Sequence, residues 1–337
     1  MSHAVSTEAT ETPLVTTTPA EYPIRLVGLQ RSKEESEQLG YEVSALANSI
    51  SQHMNLSALD GITISHDFMA GLMSLDHGYP VNPNMRHAKS ARDGISLSPI
   101  VVRDGQIKSH MIFREEDVSG LITSDDAEAQ AWAMQVVAYE CAQVTVRNGF
   151  HVRFPEVLLR QQLPIVDLLR WTVITNSWDA FAATSLSVSI GQNPTEQHEA
   201  AFLELLERCP AYSNQLVSDY RTHRNVDGVL RGQFELWGTL IKYAGYLLGA
   251  LDGTGKTIKD LPLASGVLEN HWFKPTFDAL SEIFVALAKE FGRWENSMVF
   301  EPIGDLAQNL VASAGLYITR LPDGQAHVHI PMTPATS

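Results

Sequence analysis

Along most of the chain the apolar positions recur at helical spacing, and strand-like alternation is confined to a few short stretches. Residues 32–53 carry one stripe, Leu39, Val43, Leu46 and Ile50, which predicts an amphipathic helix. Residues 59–65 (LDGITIS) read as a turn into a short strand, and helical spacing returns over 66–76 through Phe68, Leu72 and Leu75. Residues 78–92, with Pro80, Asn82, Pro83 and Asn84, predict a loop. Two strand-like runs, 95–102 and 107–113, flank Arg103-Asp104-Gly105-Gln106, and Asp-Gly in that setting predicts a hairpin. An acidic, irregular stretch over 114–125 leads into a helix that begins near Asp126. That helix carries 131–148, with Trp132, Val136, Val137 and Val144 as apolar positions and acidic residues at its N-terminal end.

Beyond Gly149 the pattern is mostly helical. Residues 154–190 hold two apolar stretches, broken at Pro164 and around Asn176-Ser177. A helix over 195–208 takes Thr195 as its N-cap. Residues 231–251 and 274–294 predict long helices with aromatic-rich apolar stripes. Residues 316–321 and 326–330 flank Pro322-Asp323-Gly324-Gln325 as a second hairpin. Residues 1–22, rich in Thr, Ser, Glu and Pro, have little to bury and predict a disordered tail. The implied class is α+β and predominantly helical. An α+β region covers 23–190, and a helical region with a terminal hairpin covers 191–337, as a separate unit or packed with the first as one body.

Composition narrows the function. A chain of 337 residues is long enough to bury a sizeable core. Its 24 basic and 39 acidic residues give a formal charge of −15, which argues against general binding of nucleic acid or anionic membrane. The two cysteines, Cys141 and Cys209, form no disulfide framework and read as free thiols of a reducing compartment. No signal-like leader is visible, and no run approaches the roughly 18 apolar residues of a membrane span. The expected location is cytoplasmic.

Candidate chemistry centres on the middle of the 131–148 helix, Tyr139-Glu140-Cys141-Ala142-Gln143, where positions 139 and 143 share a face with Glu140 beside them. Together with residues 59–76, the first hairpin and Trp178-Asp179-Ala180-Phe181-Ala182-Ala183, this segment resembles the small bacterial gluzincin-type zinc metallopeptidase domains. The resemblance spans roughly residues 40–190. In that family a helix bearing His-Glu-x-x-His follows a sheet whose edge strand lines the substrate cleft, and a second helix supplies a glutamate as third zinc ligand. The resemblance sets Tyr139, Gln143 and Ala180 at the three ligand positions and Glu140 at the general base. Phenol and amide are poor zinc ligands at neutral pH, and alanine has no donor. What is implied is a zincin-like fold that has lost its metal ligands, with no cofactor and Glu140 as a vestigial base. An inactive metallopeptidase homologue of this kind would act by binding a protein or peptide, which can add as a strand to an exposed edge. Ile107, Ser109, Met111 and Phe113 are the candidate edge residues.

Other readings of the same residues remain. An unrelated α-rich fold would make Tyr139, Glu140 and Gln143 ordinary helix residues. An active hydrolase would need an unconventional metal site built from Glu140, Asp179 or distant histidines, and a helical scaffold or assembly subunit would need no cleft. Asp179 lies about 100° around a helix from position 180 and suits a surface or capping carboxylate. His327 and His329 alternate onto one strand face, where two imidazoles can begin a metal site, but no third ligand is set nearby. His66, His77 and His87 are scattered, with His66 and Asp67 placed to open a helix. Gly253-Thr254-Gly255-Lys256-Thr257 fails as a phosphate loop, because Ala250 stands where a glycine is required and a helix precedes it. Cys141 has no nominated base, and Ser185, Ser187 and Ser189 lack a G-x-S-x-G setting.

Overall fold

The computed structural model describes residues 16–80, 96–123, 125–159, 163–321 and 326–331. Much of the loop expected over 78–92, His87 and the second turn, 322–325, therefore lie outside the described residues, as do residues 1–15. Residues 16–22 are held rather than part of a disordered tail. The Thr17 hydroxyl lies 2.9 and 2.7 Å from the Ser51 and Met54 carbonyls and accepts the Leu56 N–H. The Tyr22 hydroxyl is 2.8 Å from Ser44 Oγ and also reaches Asn48. These contacts lay the segment along a helix whose polar groups it satisfies.

A parallel strand–helix–strand unit opens the fold: β1 (Ile24–Val27), α1 (Lys33–Ile50) and β2 (Leu59–Ser65). Ser32 and Glu35 close a capping box on α1, and Asp67 caps the short α2 (Phe68–Met73) through the Met69 and Ala70 N–H groups. The hairpin strands are β3 (Ser96–Leu97), β4 (Ile100–Arg103) and β5 (Gln106–Arg114). Between β4 and β5 Asp104 and Gly105 take φ of 51° and 75°, the two left-handed positions of a type I′ turn.

The sheet order is β1-β2-β5-β3, with β4 also pairing β5. This overturns the expected peptide-binding edge. Ser109, Met111 and Phe113 pair with Leu59, Ile62 and Ile64 of β2 on one side. On the other side Ile107 and Ser109 pair with β4, and Phe113 pairs with β3. Ser109, Met111 and Phe113 are buried. Local alternation reveals a hairpin, but which strand covers its far side is a non-local choice, and here β2 takes it.

The irregular stretch expected over 114–125 includes α3 (Glu115–Val118) and a 3₁₀ turn. α4 (Ala127–Arg153) follows, with Asp126 accepting the Ala129 N–H at 2.9 Å. Replacing that cap, Asp126→Ala, is expected to cost about 1 kcal/mol in urea denaturation.

α5 (Ile165–Ser187) runs unbroken through Asn176-Ser177, held by the burial of Trp178 and Phe181, and the buried Ser177 hydroxyl is satisfied by the Val173 carbonyl of its own helix at 2.6 Å. α6 (Thr195–His223) extends well past the expected 208 and through Pro210, anchored on both sides by buried Leu206, Cys209 and Ser213. Thr195 is its first helical residue rather than its cap; Asn193 accepts the Thr195 N–H. α7 (Val226–Thr254) ends at left-handed Gly255, so the glycine-rich stretch is a helix C-cap. Then come α8 (Pro262–Leu268), α9 (Lys274–Lys289), α10 (Glu301–Ser313) and the hairpin of β6 (Tyr317–Arg320) and β7 (Ala326–His329).

The architecture is α+β, predominantly helical, with a small mixed sheet. One hydrophobic core runs from Leu39 on α1 to Leu316 before β6, joining the sheet, α4 and the later helices. A smaller cluster of Phe68, Leu72, Leu75, Val101 and Ile112 sits between α2 and the sheet. α5 and α7 lie unusually close: a Cβ on Gly245 or Gly249 would sit 2.8 or 2.3 Å from the Ser177 or Phe181 carbonyl oxygen. Gly249→Ala must push the two helices apart, at an expected cost of about 2 kcal/mol measured by denaturation. Among the described residues no helix is long and apolar enough to cross a membrane.

Candidate functional site

Glu140, Gln143 and Arg147 lie on one side of α4, spaced three and four residues apart. Facing them is α5, whose rotation is set by fully buried Trp178, packed on Phe181, Phe291, Trp294 and Phe300. With Trp178 turned inward, its neighbour Asp179 turns toward α4. The close α5–α7 approach then brings Lys242 and Tyr246 of α7 to the same place. The segment around β3 closes the remaining side.

Both Glu140 oxygens are engaged. Ser96 Oγ donates to one at 2.7 Å and Ser98 Oγ to the other at 2.5 Å. Gln143 Nε2 donates to the Tyr139 hydroxyl at 2.7 Å and approaches the Asp179 carbonyl at 3.4 Å; the Tyr139 hydroxyl points on to that of Tyr246. Arg147 pairs with the Asp179 carboxylate at 2.9 Å and also donates to the Ser98 carbonyl. Lys242 Nζ is 5.4 Å from the centre of the Tyr246 ring, and His198 stacks on that ring at 5.0 Å. The structure therefore gathers Tyr139, Glu140, Gln143 and the Asp179-Ala180 step. Asp179 is neither a surface nor a capping carboxylate, because Arg147, one turn beyond Gln143, claims it.

Burial dominates the electrostatics. It raises the Glu140 carboxyl against the bonds from Ser96 and Ser98, and raises Asp179 against Arg147. It opposes the Arg147 charge too, but Asp179 outweighs it and Arg147 ends above its ordinary value. Burial lifts the Tyr139 phenol well above its usual range, with Tyr246 adding to the effect. Lys242 is raised by Tyr246 despite its burial. His198 is pushed down to about 4 by burial. The cluster thus sets Arg147 and Lys242 against Glu140 and Asp179.

These donors do not fit zinc. The Tyr139 phenol stays protonated, the Gln143 amide is tied to it, Ala180 has no donor, and an ammonium group stands close by. Among the described residues no three His, Cys, Asp or Glu side chains come together in a way that would hold a metal ion. His327 and His329 lie exposed on one face of β7, opposite Thr319 and Tyr317. Burial raises both thiols, Cys209 to about 12 and Cys141 further, which makes them inert at neutral pH. Ser185 bonds Asp252, and Ser187 bonds the Ala183 carbonyl of its own helix.

A second polar constellation lies on the sheet. His110 on β5 lies 2.9 Å from Asp60 through Nδ1 and 2.8 Å from Thr63 Oγ1 through Nε2. Burial lowers the His110 pKa, so the neutral ring donates to Asp60 and accepts from Thr63. Arg103 pairs with Asp60 at 2.9 Å and supplies its counter-charge. The order acid, imidazole, hydroxyl is that of a nucleophilic triad, yet His110 and Thr63 are each only 1% exposed. The hydroxyl cannot reach a substrate, and the relay instead ties β5 to β2. Nothing local marks residues that lie about fifty positions apart.

Of the remaining site residues, Arg147 was readable as the position four after Gln143. Lys242 was readable as the one basic residue between Arg231 and Lys256 in an apolar run. Their partners were not. No family model, curated protein or solved structure matches this chain.

Proposed function

We propose that this chain is a metallopeptidase-like protein without peptidase chemistry, acting through the binding of a protein or peptide. The observation that carries the reading is the convergence of Tyr139, Gln143 and the Asp179-Ala180 step beside Glu140, with Asp179 paired to Arg147 and Glu140 held by two serine hydroxyls. In the zincin-like arrangement those positions would face the metal. Here those positions carry a hydroxyl–amide chain from Gln143 through Tyr139 toward Tyr246 and an Arg147–Asp179 pair. Glu140, held by two serine hydroxyls, is a clamp between α4 and the β3 segment rather than a base poised over water. Gln143 Oε1 takes no donor from the protein but is enclosed, so a peptide would be taken on the surface of the fold rather than in this cluster. An active hydrolase with another metal arrangement is disfavoured, since the Glu140 and Asp179 carboxylates are already engaged by Ser96, Ser98 and Arg147.

Elemental mass spectrometry of protein purified without chelators or tag-bound metal tests this. The expected zinc content is far below one per chain, and a quenched-fluorescence casein substrate should survive incubation. Stoichiometric zinc, or cleavage of the casein substrate, would refute the proposal. Glu140→Gln should itself cost less than about 1 kcal/mol, because the serine hydroxyls can donate to the amide oxygen and accept from its nitrogen.

A further inference from the structure

Resting on the binding reading above, we infer that the outer edge of β1 is the docking strand, and that it takes an extended peptide segment with an apolar–acidic–apolar centre. β1 pairs only with β2, and no strand covers its other side among the described residues. The parity of the ladder follows from two bonds, Ile62 N–H to the Pro23 carbonyl and His66 N–H to the Val27 carbonyl. Odd-numbered positions therefore face β2, so the N–H and C=O groups of Ile24 and Leu26 point outward. Unpaired edge groups of this kind are a template for strand addition.

The side chains define what can be added. Ile24 and Leu26 are 38% and 37% exposed and lie against Gly40 of α1, next to Tyr41, which is 66% exposed. Residues opposite Ile24 and Leu26 on an added strand share that face and gain an apolar seat on α1. The residue between them falls opposite exposed Arg25 on the other face, where a carboxylate is the complement. Within its four residues the strand carries no proline or inward charge to block an added neighbour.

The test uses the full chain and two fluorescein-labelled octapeptides, threonine and serine flanking a Val-Asp-Val or a Val-Lys-Val centre. Fluorescence anisotropy is expected to show the aspartate peptide binding about tenfold more tightly, and Arg25→Glu to reverse that order. Leu26→Pro removes an outward donor and leaves the β2 ladder intact, so it should abolish binding while circular dichroism and melting stay native. Amide exchange at Ile24 and Leu26 should slow when the aspartate peptide is bound. Equal binding of both peptides, no binding of either, or an Arg25→Glu variant that keeps the original order would overturn the inference. Protection appearing at 96–103 instead would also overturn it while leaving the binding reading in place. Cleavage of the peptide with zinc present would remove the binding reading itself. If sedimentation shows a dimer that Leu26→Pro dissolves, or if deleting residues 1–15 is what opens these amides to exchange, the occupant is a second copy or the chain's own segment, and the inference falls.

Discussion

Arg147→Met is expected to destabilise the protein by about 4 kcal/mol, because it strands the Asp179 carboxylate in the interior. The Arg147 and Asp179 side chains are only 19% and 17% exposed and meet at 2.9 Å. Burial already raises the Asp179 carboxyl, and Arg147 is the largest influence holding it down. Methionine keeps the length and apolar stem of arginine but not its charge or its donor to the Ser98 carbonyl. Adding Asp179→Asn removes the stranded charge, so the double variant should recover more than half of the loss. Urea denaturation of the two single variants and the double variant gives the coupling directly. Additive losses would mean that the pair does not act as a unit and that α4 and α5 are held at this point by packing alone.

His198→Phe is expected to remove the share of the fold's acid sensitivity that His198 carries. The folded chain holds the His198 imidazole neutral, with its pKa pushed from 6.5 to about 4 by burial. A depressed pKa means that the unfolded chain takes up the proton first. Stability is therefore fully present above pH 6.5 and is lost as pH falls toward 4, by about 3 kcal/mol at that point. Phenylalanine keeps the stacking on Tyr246, with ring centres 5.0 Å apart, and has nothing to titrate. Glu140 and Asp179, whose pKa values are raised, act in the opposite sense: their contribution is greatest below the ordinary carboxylate range and declines as pH rises. They are present in both proteins and cancel in the comparison. Thermal and urea stability of wild type and variant at pH 7 and pH 4 measure the difference. A gap between them that does not change with pH would show that His198 is solvated in the folded state.

Short-range physics was open to reading. Asp126 announces the start of α4, because a carboxylate before an apolar stripe satisfies a helix N–H three residues on without any tertiary contact. Asp104-Gly105 announces the hairpin, since both positions must take left-handed backbone angles. Gly255 closes α7 for the same kind of reason. The face of α4 that carries Glu140 and Gln143 was legible as periodicity, and with it the place where chemistry would be sought.

Tertiary structure alone decided which of these local pieces meet. The hairpin pattern over 95–113 is the same whether its second strand is an edge or an interior strand; the arrival of β2 beside β5 made it interior and left β1 as the open side. Asn176-Ser177 looked like a break, but a helix buried through Trp178 and Phe181 absorbs both polar residues, one bonding back to its own backbone. Asp179, Arg147, Lys242 and His198 come from four successive helices, and only the packing of those helices makes them neighbours. The relay of Asp60, His110 and Thr63 is set by strand register in the same way. Periodicity, caps and turns are settled within a few residues by backbone geometry. Pairings between distant charges are settled by the whole core, whose shape no single stretch of the chain contains.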